Sequence, residues 1–153
     1  MTDSRGRILG VDFGGRRIGL AISDPSGTIA RPLTMLKVGG QSDAVLRVAE
    51  AATRLAAEDD GLRAIVVGLP LSLEGAPTDQ TAAVSVFVAA LRDRLPMPIV
   101  TEDERLTSVE AESRLAERET DWRKRKAQID AEAAAIILQD YLDRPVKTAN
   151  GES

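Results

Sequence analysis

The stretch "LRAIVVGLP", residues 62–70, narrows the fold more than any other part of this 153-residue chain. It is short, nearly continuous in apolar residues and rich in β-branched ones, the signature of a strand buried on both faces of a sheet. Such a strand has to be covered above and below. The rest of the chain offers the material. "RILGVDF" and "IGLAIS" read as two strands joined by a glycine turn, a hairpin. "TIARPLTMLKV" fits a third strand, and Pro32 within it favours an edge position or a bulge. "SDAVLRVAEAATRLAAED" repeats Val45, Val48, Ala49, Ala52 and Leu55 at helical spacing, with Ser42 placed as N-cap. A second helix is expected from about Thr78 to Leu95, followed by a strand in "MPIVTEDE".

Beyond that strand, "TSVE" at Thr107–Glu110 is a capping-box sequence and predicts a helix from Ser108. Charge is dense and periodicity poor between Glu117 and Gln128, which reads as a loop or an irregular helix end. The last and most apolar helix is "IDAEAAAIILQDYL", opened by Asp130, and "DRPVKTANGES" reads as a loose tail. Hairpin and edge strand first, strand–helix alternation later: this order gives an α/β fold with a mixed sheet covered by helices. There is no internal repeat, low-complexity block or inter-domain linker, so residues 1–144 are expected to form one domain and 145–153 a flexible tail.

The chain has no cysteine and no histidine. Thiol and imidazole chemistry are excluded, and catalysis must run on carboxylates, lysine, arginine or hydroxyls. Carboxylates favour hard cations, Mg²⁺ or Mn²⁺. No apolar run approaches the roughly 18 residues of a membrane span, and "MTDSRGR" lacks the apolar segment of a signal peptide, so a cytoplasmic protein with no membrane partner is expected. The net charge of −4 means that attraction to phosphate backbones would depend on local basic clusters. Arg5 and Arg7, Arg16 and Arg17, and Arg123, Lys124, Arg125 and Lys126 behind Trp122 form such clusters; solvated surface is their plainer use. Trp122 could stack on a base or be partly buried structure.

Acids stand at three informative places. A period of two sets Ile8, Gly10 and Asp12 on one face of the first strand, with Asp12 at its carboxyl end, where ligands of open α/β sheets gather. Glu102, Asp103 and Glu104 end another strand, with Glu102 and Glu104 on the same face. Asp130 shares a helix face with Ala134, Ile137 and Tyr141. These acids could converge on one or two divalent ions. Each also has a structural use: Asp12 in the glycine turn, the triplet in ion pairs with Arg105, Asp130 as a helix cap.

"VDFGGRRIGLAISD", "ARPL", "IVVGLPLSLEG", "DERLTS" and "IDAEAAAIILQDYL" occur in this order over nearly the whole chain. Together they resemble the bacterial YqgF/RuvX family of pre-16S rRNA nucleases and Holliday-junction-resolvase-like proteins. The resemblance implies a ribonuclease-H-like fold: a five-stranded mixed sheet, first three strands antiparallel, with helices on both faces. It implies a metal-dependent hydrolase with Asp12, Glu104 and Asp130 as catalytic acids and ligands of Mg²⁺ or Mn²⁺, and thus selects Glu104 from the triplet. Asp103 is an accessory candidate. Arg16, Arg17, Arg105, Arg123, Lys124, Arg125 and Lys126 are candidates for gripping nucleic acid. In related resolvases a fourth acid stands one turn beyond the helix acid; here that position is Ala133. Gly15 also departs from the family, which often has a polar residue there.

The expected substrate is structured or precursor RNA in 5′-end processing of pre-16S rRNA, with branched DNA as the alternative. Two other classes stay open: a non-catalytic nucleic-acid-binding transcription or ribosome-associated factor, and a nucleotide binder, although no Walker-type lysine loop is present. Monomer and homodimer are both compatible with the sequence.

Overall fold

Alternation along β1 (Arg7–Phe13) assigns its side chains to two different layers. Leu9 and Val11 enter a large core in which Val45, Val48, Ala52 and Leu55 of α1 (Gln41–Ala56) meet Val84, Phe87, Val88 and Leu91 of α2 (Asp79–Arg94). Ile8 packs on the opposite face, against Ala134, Ala135, Ile137 and Leu138 of α3 (Trp122–Asp143). The computed structural model describes residues 6–104 and 122–144. Among them, β1 is joined by β2 (Arg17–Ser23), β3 (Ala30–Lys37), β4 (Leu62–Leu69) and β5 (Ile99–Asp103) in the order β3-β2-β1-β4-β5. The first three strands are antiparallel, and β4 and β5 continue parallel to β1.

This is the expected mixed sheet with helices on both faces. β4 is the doubly covered strand foreseen from its composition: Ile65 and Val67 serve one core, Val66 the other, and all three are fully buried. Pro32 lies on the edge strand β3, opposite a register shift between Leu20 and Ala21. The end of β1 is anchored by Phe13, whose ring stacks on Phe87 at a centroid distance of 4.5 Å.

Two expectations fail. Ser42 does not cap α1: Gly40 is the N-cap and makes no side-chain cap bond. Asp43 takes over, its Oδ2 accepting from the Gly39 N–H at 2.8 Å, a position where its charge also suits the helix dipole. The last helix does not open at Asp130 either. α3 begins at Trp122, so Asp130 stands two turns inside it and is no cap. "WRKRKAQ" lacks an apolar stripe but consists largely of strong helix formers, and contains neither glycine nor proline. Of the stretch read as a loop or an irregular helix end, the part from Trp122 to Gln128 is therefore helix. The capping box at Thr107–Glu110, Arg105 and the tail at 145–153 lie outside the described residues.

α3 packs directly on three strands that present glycine to it. A β-carbon on Gly10 would stand 2.8 Å from Leu138 Cβ and 3.0 Å from the Ala134 carbonyl oxygen, and one on Gly19 would overlap the Asp130 carbonyl. Gly68 of β4 is the third. At the far end Gln139 fixes the helix to the strand edge, accepting from the Ala30 N–H at 2.9 Å and donating to the Thr28 carbonyl at 3.0 Å. None of the described helices is long and apolar enough to cross a membrane.

Candidate active site

Asp12 is the next-to-last residue of β1 and pairs with Gly19 across the hairpin. The turn that follows is closed by its own backbone, the Gly14 N–H donating to the Arg17 carbonyl at 2.9 Å, with Gly15 at φ 88°. The Asp12 carboxyl is a close neighbour of that of Glu104, and each acts on the other's titration. Glu104 follows β5 directly, and its N–H donates to the Leu69 carbonyl at 3.2 Å, which extends the ladder by one residue. Its side chain then folds back over β4, so that Oε1 lies 2.9 Å from where a β-carbon on Gly68 would be.

Alternation had put Glu102 and Glu104 on one face without separating their roles. Arg144, just beyond α3, separates them. Its Nε donates to Glu102 Oε2 at 2.7 Å and its Nη2 to the same oxygen, leaving Glu102 almost fully buried. One acid is thus tied to the end of α3, and the other reaches Asp12.

Asp130 comes from the opposite direction. Its backbone carbonyl rests on Gly19, the strand partner of Asp12. Its Oδ2 is buried without a hydrogen bond, and Arg17 Nε stands 3.1 Å away as an ion-pair partner out of hydrogen-bonding alignment. Arg17, read from the sequence as a contact for nucleic acid, thus lies in the acid cluster, half-exposed, whereas Arg16 is exposed on the turn. Arg123, Lys124, Arg125 and Lys126 fall on the first turns of α3, with Trp122 opening the helix; their side chains are outside the described set. The fourth-acid position, Ala133, is buried beside Ile136 and Ile129.

Electrostatics follow from this crowding. Burial first, then the negative charge of Asp12, the hydrogen bond between them and the charge of Asp103 push the Glu104 carboxyl up to about 8. Burial and the charge of Asp130 push Asp12 up to about 6, with the Glu104 hydrogen bond acting in the other direction. Burial also raises Asp130, against the charge of Arg17. Carboxyls held this way are short of positive charge. Among the described residues no three acids stand close enough together to form a ready coordination shell. The residues nevertheless fit a hard divalent cation: the neighbouring carboxyls of Asp12 and Glu104, and the buried Asp130 Oδ2, ion-paired with Arg17 but without a hydrogen bond, are oxygen donors of the right chemistry.

Sequence reasoning missed Gly19, Gly68 and Arg144. A glycine inside an apolar strand is itself a signal of close approach by another group, and both glycines carried it. Nothing near Arg144 in the sequence points to Glu102.

Residues 6–144 match the family model described as "RuvX: Holliday junction resolvase". A Chloroflexus aggregans protein named "Putative pre-16S rRNA nuclease" is 49% identical over 136 residues, covering 89% of this chain and 92% of that one. A Roseiflexus sp. protein of the same name is 41% identical over 143 residues, covering 94% and 98%. Among solved structures, T. thermophilus RuvC in complex with Holliday junction substrate aligns at a TM-score of 0.52 and 17% identity, covering 90% of this chain and 93% of that one. That likeness is one of fold, the ribonuclease-H-like α/β arrangement.

Proposed function

The chain belongs to the RuvX family of nucleases, and from that premise we propose that it hydrolyses phosphodiester bonds of precursor 16S rRNA with Mg²⁺ or Mn²⁺ held by Asp12, Glu104 and Asp130. The observation that carries the reading is the convergence of three acids: Asp12 at the carboxyl end of β1, the Glu104 carboxyl lying over Gly68 of β4, and Asp130, whose backbone rests on Gly19, the strand partner of Asp12. When bound, such an ion supplies an activated water and offsets the negative charge that builds on the phosphate. The protein's part is to hold oxygen donors. Asp12, with the other two acids on either side, would be the central ligand. To share in holding the ion Glu104 would have to be ionised, and Asp130 would offer the ion the oxygen now paired with Arg17.

Arg17, beside the acids, would then be available to a phosphate, and Arg16 lies next to it on the exposed turn. Gly14 and Gly15 leave the backbone bare where a phosphate approaches. These contacts, with those of Arg105 and the Arg123–Lys126 run, position a strand without reading its sequence. The relatives' shared name favours RNA; the family description favours a four-way DNA junction as the second reading. A cytoplasmic location belongs to the proposal, since bacterial ribosomal precursors are made there.

The test is a side-by-side cleavage assay on a labelled pre-16S rRNA fragment and a four-way DNA junction, with Asp12→Asn and Glu104→Gln as controls. The proposal expects metal-dependent cutting of the RNA that both variants lose while still binding it. Cutting of the junction alone, by a protein that is dimeric in light scattering, would establish the second reading instead. Cleavage of neither substrate, or equal cleavage by the variants, would end the nuclease proposal.

A further inference from the structure

Asp12 and Glu104 belong to strands that are not neighbours, since β4 runs between β1 and β5. Adjacent strands lie about 4.8 Å apart, so a carboxyl from the end of β5 must cross the face of β4 to meet one on β1. The residue in its way is Gly68, which pairs with Glu102 in the register that continues to Leu69 and Asp103. On its other side, Gly10 pairs with Val66 and Val11 with Val67, so that one step further come Asp12 and Gly68. Gly68 is buried, and its α3-facing side is already filled: a β-carbon there would stand 2.9 Å from Glu104 Oε1, 3.2 Å from Glu104 Cδ and 2.6 Å from Ile137 Cδ1.

We propose that Gly68 is a positioning residue for the metal site, its missing side chain being the berth that lets the Glu104 carboxyl reach Asp12. Gly19 does the matching work on the other side of Asp12, where the backbone of Asp130 occupies the space of its absent β-carbon. The central acid is flanked by two glycines, and each admits one of the other two. This rests on the metal reading given above. The rival explanation is plain packing: Gly68 would then be glycine only to make room for Ile137.

The two contacts can be separated, because both involve the far ends of flexible side chains, so Gly68→Ala is expected to fold. Ile137→Val removes Cδ1 and with it the packing overlap, but leaves Glu104 crowded. Mn²⁺ binding read by electron paramagnetic resonance, alongside thermal unfolding, is therefore measured on the wild type, Asp12→Asn, Gly68→Ala and Gly68→Ala/Ile137→Val. Gly68→Ala is expected to unfold at a lower temperature and to bind Mn²⁺ about 10- to 100-fold more weakly, as losing a group that orients a ligand typically does. The double variant is expected to regain thermal stability while its Mn²⁺ binding stays weak. Wild-type Mn²⁺ affinity in Gly68→Ala, or its recovery in the double variant, overturns the proposal and leaves the metal reading standing. A wild type that binds no Mn²⁺, or an Asp12→Asn that binds it equally well, overturns both.

Discussion

Burial and the neighbouring negative charges raise the carboxyls of both Asp12 and Glu104, that of Glu104 further. Both groups hold a proton more tightly when folded than when unfolded. Their contribution to stability is thus complete below the ordinary carboxylate pKa and is lost as pH rises through about 6 and about 8. Thermal unfolding in chelator should show a higher midpoint at pH 5 than at pH 8. Glu104→Gln, which keeps the hydrogen-bonding shape without the charge, should raise the midpoint at pH 8 and flatten the difference; a wild type whose midpoint rises towards pH 8 relative to the variant would contradict this. Asp24 has the opposite sign. The Ile29 N–H, the Ser26 hydroxyl and the Thr28 N–H hold its carboxyl well below the usual range, so this turn loses support in acid. The choice between Glu102 and Glu104 shows what the sequence could not supply. Both share a face of β5, and the arginine that separates them comes from 42 residues away.

The joint between α3 and β5 depends on that arginine. Arg144→Ala leaves the nearly buried Glu102 carboxylate without its charge partner, and should cost about 1–3 kcal/mol in denaturant unfolding. Adding Glu102→Gln should recover part of the loss, and a double variant no more stable than Arg144→Ala would remove the pair from the account. The start of α2 is held by a reciprocal cap, Thr78 accepting from the Thr81 N–H while the Thr81 hydroxyl accepts from the Thr78 N–H. Thr78→Ala should cost about 1 kcal/mol in the same measurement. Strand positions were legible because burial imposes a period of two, as in β1, or an apolar run, as in β4. Helix starts were less so. Backbone geometry at Gly40 and the reach of Asp43 displaced Ser42 as a cap, and α3 continues back to Trp122 through residues with helix propensity but no apolar stripe.

Among the described residues, the carboxyls with raised pKa lie together at one end of the sheet. Hairpin, crossover strands and covering helices could be read from the order of elements, because sheets with two buried faces admit few arrangements. The approach of α3 could not, since it depends on glycines whose role appears only when another chain segment fills their space. The acidic balance matters for substrate binding as well: with a net charge of −4, attraction to a phosphate backbone has to come from local arginines and lysines. Arg16→Glu, on the exposed turn, should weaken RNA binding and reduce its salt dependence while leaving Mn²⁺ affinity in place. In the proposed function Asp12 holds a divalent ion for strand cleavage. The most direct measurement compares wild type and Asp12→Asn on a labelled pre-16S rRNA fragment, in Mg²⁺ and in chelator. Cleavage by the wild type is expected in Mg²⁺ alone, with Asp12→Asn binding the RNA but leaving it intact. Cleavage that survives the chelator, or that Asp12→Asn performs as fast as the wild type, would contradict it.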